Sequence, residues 1–313
     1  MTAIGFVGLG AMGGRIAGRL LAAGHQVHGT NRTRTKAEPL IASGLVWHDT
    51  PRDVAEAATM VFTMVTDDAA LGAIVSGPDG LLAGLAPGNV WVDMSTVGPA
   101  TSTRLAHRAH ARGAAMLDAP VSGSVHEAEA GRLTIMVGGD QPAFTTAEPL
   151  LHELGSAVRH IGPNGHGVRL KLALNISLAA QMLAFSEGVL LAERGGIDRE
   201  LAVSVMAESA VGSAFLRGRA PLVLDLPDRA WFDIELAHKD IRLALEAGHS
   251  DDVPLPSAAL ADEWLTTASS LGYGHSDIAA LFGVLAQTPR TGPGRTRPHG
   301  SEPSDSENQR RDG

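Results

Sequence analysis

Short apolar runs recur through the first half of the chain: Ile4 to Val7, Met60 to Val65, Val90 to Met94, Met116 to Ala119 and Leu133 to Val137. Their length and β-branched content predict buried strands. Between them the apolar positions take helical spacing. Gly13 to Ala23 puts Ile16, Leu20 and Leu21 on one face with Gly24 beyond its end, and Pro99 to Ala111 opens on a proline, a residue suited to a first helical turn. Strand alternating with helix predicts an α/β fold built on a parallel, doubly wound sheet.

The pattern changes at Gly162, where Gly-Pro-Asn-Gly-His-Gly precedes a long apolar helix predicted from Val168 to Arg194. Helices are expected almost throughout from there to Leu285, broken at Gly195-Gly196, Pro221, Pro227 and Pro254-Leu-Pro256. The predicted organisation is an α/β domain over 1–162, an all-α domain over 163–287 and a tail over 288–313. Leu172 to Ala192 is apolar enough to raise the question of a membrane span, but Asn175, Gln181, Ser186 and Glu187 interrupt it, so burial between domains or subunits is expected instead. From Thr288 onward there is no Ala, Val, Ile, Leu, Met, Phe, Trp or Tyr, and this stretch is expected to be disordered.

Composition narrows the chemistry. The 313 residues carry 25 basic and 34 acidic side chains, a net charge of −9, which opposes non-specific binding to nucleic acid or an anionic membrane. With no cysteine there is no thiolate nucleophile, disulfide or thiolate metal site, and a reducing cytoplasm is the expected location. The start MTAIGFVGLG lacks the basic opening and long apolar run of a signal peptide, so no export is expected. Thirteen histidines include no HExxH, and His107 and His110 share an Arg-rich, solvated helix, so no metal site is expected. Ser122 has no GxSxG setting and is not read as a hydrolytic nucleophile.

Gly8-Leu9-Gly10-Ala11-Met12-Gly13 follows the first strand directly and opens the first helix. In that setting the first glycine permits the tight turn, the second lets the backbone approach a pyrophosphate and the third lets helix and strand pack closely. The helix N-terminus adds unpaired N–H groups and the positive end of its dipole. A second strand is expected over Val27 to Thr30, ending in Asn31-Arg32-Thr33 where an NAD-preferring site usually carries Asp or Glu. Arg32 could pair with a ribose 2′-phosphate, with Asn31 and Thr33 adding hydrogen bonds, which predicts NADP as the preferred cofactor and NAD as a possible one.

Further along stand Asp93-Met-Ser95-Thr96-Val97, Asp118-Ala-Pro-Val-Ser122-Gly123-Ser124, Gly131 to Gly138, Gly165-His-Gly167 with Lys171 and Asn175, and Lys239-Asp240. Together with GFVGLGAMG, in this order and spacing, they resemble the β-hydroxyacid dehydrogenase family, which includes 3-hydroxyisobutyrate dehydrogenase and tartronate semialdehyde reductase, over about residues 3 to 286. The resemblance implies a Rossmann domain followed by a helical domain, an active site in the cleft between them, and dimers or tetramers. It also implies that Lys171 is the catalytic lysine, that Asn175 positions the substrate, and that Ser122 and Gly123 hold the substrate carboxylate. Val65, Thr66 and Thr96 match positions lining the cofactor, and Lys239 one that reaches it from the helical domain. Ser124 departs from a glycine common in the family; its backbone amide is expected to stay available while its side chain re-tunes the pocket.

Lys171 and Asn175 stand at i and i+4, so they share a helix face and can converge on one substrate oxygen. An ammonium can protonate a carbonyl oxygen as hydride reaches the carbon, and burial would favour the neutral amine needed for the reverse step. The expected function is NADP-dependent hydride transfer between a small 3-hydroxy acid and its semialdehyde. An imine reductase on the same scaffold and a non-catalytic NADP-binding module are the alternatives; Lys171 disfavours the first, because imine reductases commonly carry Asp or Tyr there, and Lys171 with Asn175 disfavours the second.

Overall fold

A computed structural model describes residues 3–288. The tail expected from 288 to 313 lies, apart from Thr288, outside the described residues. Among the described residues nine strands form one sheet: β1 Ala3–Val7, β2 Gln26–Thr30, β3 Val46–Trp47, β4 Met60–Thr63, β5 Val90–Asp93, β6 Ala115–Asp118, β7 Val121–Ser122, β8 Leu133–Gly139 and β9 Gly155–Gly162. The order is β3-β2-β1-β4-β5-β6-β8-β7, with β9 also paired to β8. From β3 to β6 every pairing is parallel, and the order reverses at β1, as a doubly wound fold requires.

The parallel expectation fails beyond β6. β8 runs antiparallel to both β6 and β7 and parallel to β9. Only a tight turn and the short helix Val125–Ala130 separate β7 from β8, too little chain for the crossover a parallel neighbour needs.

Alternation along the strands divides the apolar side chains between two faces. Ile4, Phe6, Phe62, Val92 and Leu117 pack with Ile16 and Leu20 of the helix Gly13–Ala22, while Val7, Val61, Trp91 and Met116 pack with Val54, Leu71, Leu105 and Val168 on the other side. Burying each of these larger side chains is worth about 1.5–3 kcal/mol.

After β9 the chain is helical. His166–Arg194 forms a single helix, followed by Arg199–Glu208, Ala214–Leu224, Ile234–Ser250, Pro256–Ser270 and Leu281–Gln287, which share a second core around Met182, Phe185, Trp264 and Phe282. Pro221 is not a break: the helix Ala214–Leu224 runs through it. So near the C-terminus proline removes only the bond to the Arg217 carbonyl, and buried Leu222 and Val223 hold the last turn down.

The start of the long helix is bound to the sheet. Both Asp118 oxygens, fully buried at the end of β6, accept its amides: Oδ1 from Gly165 N at 2.7 Å and Oδ2 from Val168 N at 2.9 Å. Asn164 Nδ2 donates to the Met116 carbonyl at 2.8 Å. Gly167 allows this approach, since a Cβ there would stand 2.4 Å from the Met136 carbonyl oxygen. The long helix alone among the described helices is long and apolar enough to cross a membrane, yet one face packs Leu172, Met182, Leu183 and Phe185 inside the protein. Burial is therefore one-sided, and Leu170 and Leu174 remain 38% and 40% exposed.

Candidate active site

The carboxyl ends of β1, β4 and β5, strand β7 with the turn that follows it, and the three helices carrying Lys171, Arg219 and Lys239 line one cleft of about 780 Å³. Gly10, Ala11, Met12, Gly13, Val65, Thr66, Thr96 and Lys239 meet there with Ser122, Gly123, Lys171 and Asn175. Asn31, Arg32 and Thr33 do not line it; they lie just past the end of β2.

Each loop glycine answers a different steric demand. Gly8 has φ +100°, and a Cβ there would lie 2.2 Å from the Met64 carbonyl oxygen. A Cβ on Gly13 would lie 2.1 Å from the Gly8 oxygen, whereas Gly10 faces open space. Leu9 is buried beneath the loop. The helix Gly13–Ala22 has no side-chain cap and no acidic residue in its first turn, which leaves its N–H groups and dipole to an anion. These features fit a dinucleotide pyrophosphate.

At the end of β2, Asn31 braces the loop, its Oδ1 accepting from Leu9 N at 3.1 Å and its Nδ2 donating to the Thr33 carbonyl at 3.0 Å. Half of its hydrogen-bonding capacity is thus internal. Arg32 and Thr33 are exposed, and beside them Arg34, which the motif reading passed over, stacks 5.0 Å from the Trp47 ring centroid.

A buried carboxylate sets the two loops that carry Val65, Thr66 and Thr96. Asp93 Oδ1 accepts from Thr63 Oγ1 and Ser95 Oγ, both at 2.7 Å, and Ser95 Oγ in turn accepts from Val65 N at 3.0 Å. Burial pushes the Asp93 pKa up to about 7 against the pull of those donors. Its Oδ2 has no partner.

Asp240, which the sequence left without a role, lies buried in the same cleft. Its Oδ2 accepts from Asn175 Nδ2 at 2.5 Å and its Oδ1 faces Lys239 Nζ at 2.7 Å, while Lys239 also donates to the Thr96 carbonyl. One carboxylate therefore orients the Asn175 amide and holds Lys239, which ties this helix to the Thr96 loop. Burial lowers the Lys171 pKa below the ordinary lysine value; the Asp240 charge opposes this and the Lys239 charge adds to it. The result is an amine brought nearer to exchanging its proton at working pH.

Ser122 ends β7 opposite Thr134, and Gly123 has φ +133°, where a Cβ would meet Glu127 and Leu133 side-chain atoms at 2.9 Å. The expectation for Ser124 is corrected. Its backbone N–H is not available, because it donates to Glu127 Oε2 at 2.8 Å within a capping box that starts the helix Val125–Ala130. The Ser-x-x-Glu spacing at 124–127 was the signal that could have shown this.

Residues 3–162 match the model of the NAD binding domain of 6-phosphogluconate dehydrogenase, and residues 165–285 that of the NAD-binding region of NADP-dependent 3-hydroxyisobutyrate dehydrogenase. The chain belongs to the β-hydroxyacid dehydrogenase family. As a β-hydroxyacid dehydrogenase it is an NAD(P)-dependent oxidoreductase acting on CH–OH groups. It is 32% identical to glyoxylate/succinic semialdehyde reductase 2 of Arabidopsis thaliana, covering 91% of this chain and 79% of that protein. To 2-(hydroxymethyl)glutarate dehydrogenase of Eubacterium barkeri it is 33% identical over 91% of this chain and 95% of the other. The structure of Psf3 in complex with NADP+ and 2-OPP superposes with a TM-score of 0.83 at 30% identity, covering 90% and 99% of the two chains. An imine reductase from Pseudomonas sp. shares the fold at a TM-score of 0.60 but is only 22% identical, covering 91% of this chain and 99% of that one.

Proposed function

We propose that this dehydrogenase transfers hydride between NADP(H) and a small 3-hydroxy acid, interconverting the acid with its semialdehyde, as for 3-hydroxyisobutyrate or tartronate semialdehyde. The observation that carries the reading is the convergence of Lys171 and Asn175, on one helix face, with the glycine loop in a single cleft. The cofactor supplies the hydride when bound. Lys171 gives its proton to the carbonyl oxygen during reduction and takes it back during oxidation. Asn175, fixed by Asp240, donates to the same oxygen, and the Ser122-Gly123 turn holds the carboxylate.

Preference for NADP is supported by Arg32, exposed at the end of β2, where no acidic side chain stands to accept from a 2′-hydroxyl. The exposed pair Leu170 and Leu174 supports a dimer joined along the long helix, to be checked by light scattering. The deciding experiment follows NADPH and NADH absorbance with a panel of semialdehydes, hydroxy acids and cyclic imines. Turnover of imines alone, or of nothing while NADPH binds, would sink the proposal.

A further inference from the structure

Besides Lys171 and Lys239, a third cationic side chain lines the cleft. Arg219, on the helix Ala214–Leu224, is 7% exposed and lies 5.6 Å from the ring centroids of both Phe215 and Trp231. Its Nη1 donates to Asp277 Oδ1 at 2.6 Å. Asp277 is already a shared acceptor: Ala279 N reaches Oδ1 at 3.2 Å, and Trp231 N and Phe232 N reach Oδ2 at 2.9 and 3.1 Å. The carboxylate thus anchors the guanidinium, the Trp231-Phe232 backbone and the turn after it as one unit.

A guanidinium has five N–H donors. Arg219 Nε and Nη2 have no hydrogen-bond partner among the described residues, and neither is closed off from solvent. Glu127, an acidic side chain lining the same cleft, commits Oε2 to Ser124 N and leaves Oε1 3.8 Å from Arg132. A planar cation held between aromatic rings, with one edge fixed and the rest open to a substrate cleft, is built to receive an oxyanion. The Ser122-Ser124 turn has meanwhile lost the Ser124 amide to Glu127, so this side of the cleft has one donor fewer for acidic groups.

We propose that Arg219 binds a second acidic group of the substrate, so that the pocket selects dicarboxylic 3-hydroxy acids over monocarboxylic ones. This rests on the reductase reading for the position of the first carboxylate and of the reacting carbon. A purely structural Arg219–Asp277 pair would instead affect acidic and neutral substrates equally.

The test compares 3-hydroxyisobutyrate, 2-(hydroxymethyl)glutarate and the distal monoamide of the latter, which keeps the length but removes the second charge. In the wild-type enzyme kcat/KM for the diacid should exceed that for its monoamide by on the order of 10- to 100-fold, the worth of hydrogen bonds to a charged group. Arg219→Met removes the guanidinium, while Asp277 keeps its three backbone N–H donors. It should raise KM for the diacid by a similar factor and affect the monoamide far less, with NADPH affinity as a control on the fold; Arg219→Lys should recover part of the loss. Equal loss on diacid and monoamide, or no wild-type preference, overturns the proposal. Calorimetric titration of the NADPH-loaded protein with 2-(hydroxymethyl)glutarate, an alcohol that cannot pass hydride to the reduced cofactor, reads the same site without turnover. Binding weakened in Arg219→Met and partly restored in Arg219→Lys supports the Arg219 assignment even if the reductase reading fails, and binding unchanged in Arg219→Met refutes it.

Discussion

Lys171→Met is the most direct perturbation of the proposed chemistry. It keeps an unbranched stem among the same neighbours and removes the only group on the long helix that the mechanism asks to move a proton. A positioned acid or base contributes about 10² to 10⁴ in rate. At 1.36 kcal/mol per decade that is about 2.7–5.4 kcal/mol of barrier, the fall expected in kcat. Folding should not suffer, and the sign follows from the lysine pKa, which burial lowers in the folded state. Between the folded and unfolded values the unfolded chain binds more protons, so the buried charge costs stability at low pH and the cost fades as pH rises. Methionine removes that cost, and Tm at neutral pH should hold or rise. Steady-state rates across pH, with NADPH affinity from fluorescence titration as a control on the glycine loop, provide the assay. Wild-type reduction should decline and oxidation increase as pH passes upward through the lowered lysine value, and the variant should lose both limbs. A variant keeping more than about a tenth of wild-type turnover, less than one decade in rate, would refute the assignment.

Asp240→Asn should lower turnover and move the reductive pH limb to lower pH, because the carboxylate charge that supports the Lys171 ammonium is gone. Arg32→Ala should weaken NADPH by about 1.5–3 kcal/mol without affecting NADH or Tm, since Arg32 is exposed; equal loss of both cofactors in titration would contradict the 2′-phosphate role. Gly13→Ala sets a methyl against the Gly8 carbonyl and should destabilise the fold by about 1–3 kcal/mol, read by thermal melts, while loosening both cofactors. Asp93 holds its proton in the folded state to about pH 7, well above the unfolded value, so stability should fall as pH rises from the unfolded carboxylate range through 7; Asp93→Asn should flatten that dependence in melts across pH.

The α/β half was legible because its strands are short, β-branched and regularly separated by amphipathic helices, and the glycine loop because three spaced glycines announce a backbone demand. Lys171 and Asn175 were singled out by the family resemblance; the i and i+4 spacing added only that they share a helix face, since a lysine opening an apolar helix reads alone as a surface residue. The antiparallel turn at β8 was not, because an apolar strand looks alike in either direction. Asp240 stood next to a flagged lysine, but its bond to Asn175 spans 65 positions. Arg219 and Asp277 are 58 apart, and each alone reads as an ordinary surface charge. The Ser124 amide is the instructive failure: the local Ser-x-x-Glu pattern was present, but the family resemblance drew attention to the missing glycine instead.

The grip of Asp118 on Gly165 and Val168 has a dynamic consequence. With both carboxylate oxygens bonded to the first turn of the long helix and Gly167 seated against the strands, the corner between the two halves is welded. Rotation of one half against the other at that corner would have to break both bonds at once. Amides at 165 and 168 should therefore be among the slowest to exchange with deuterium, protected until the whole fold opens.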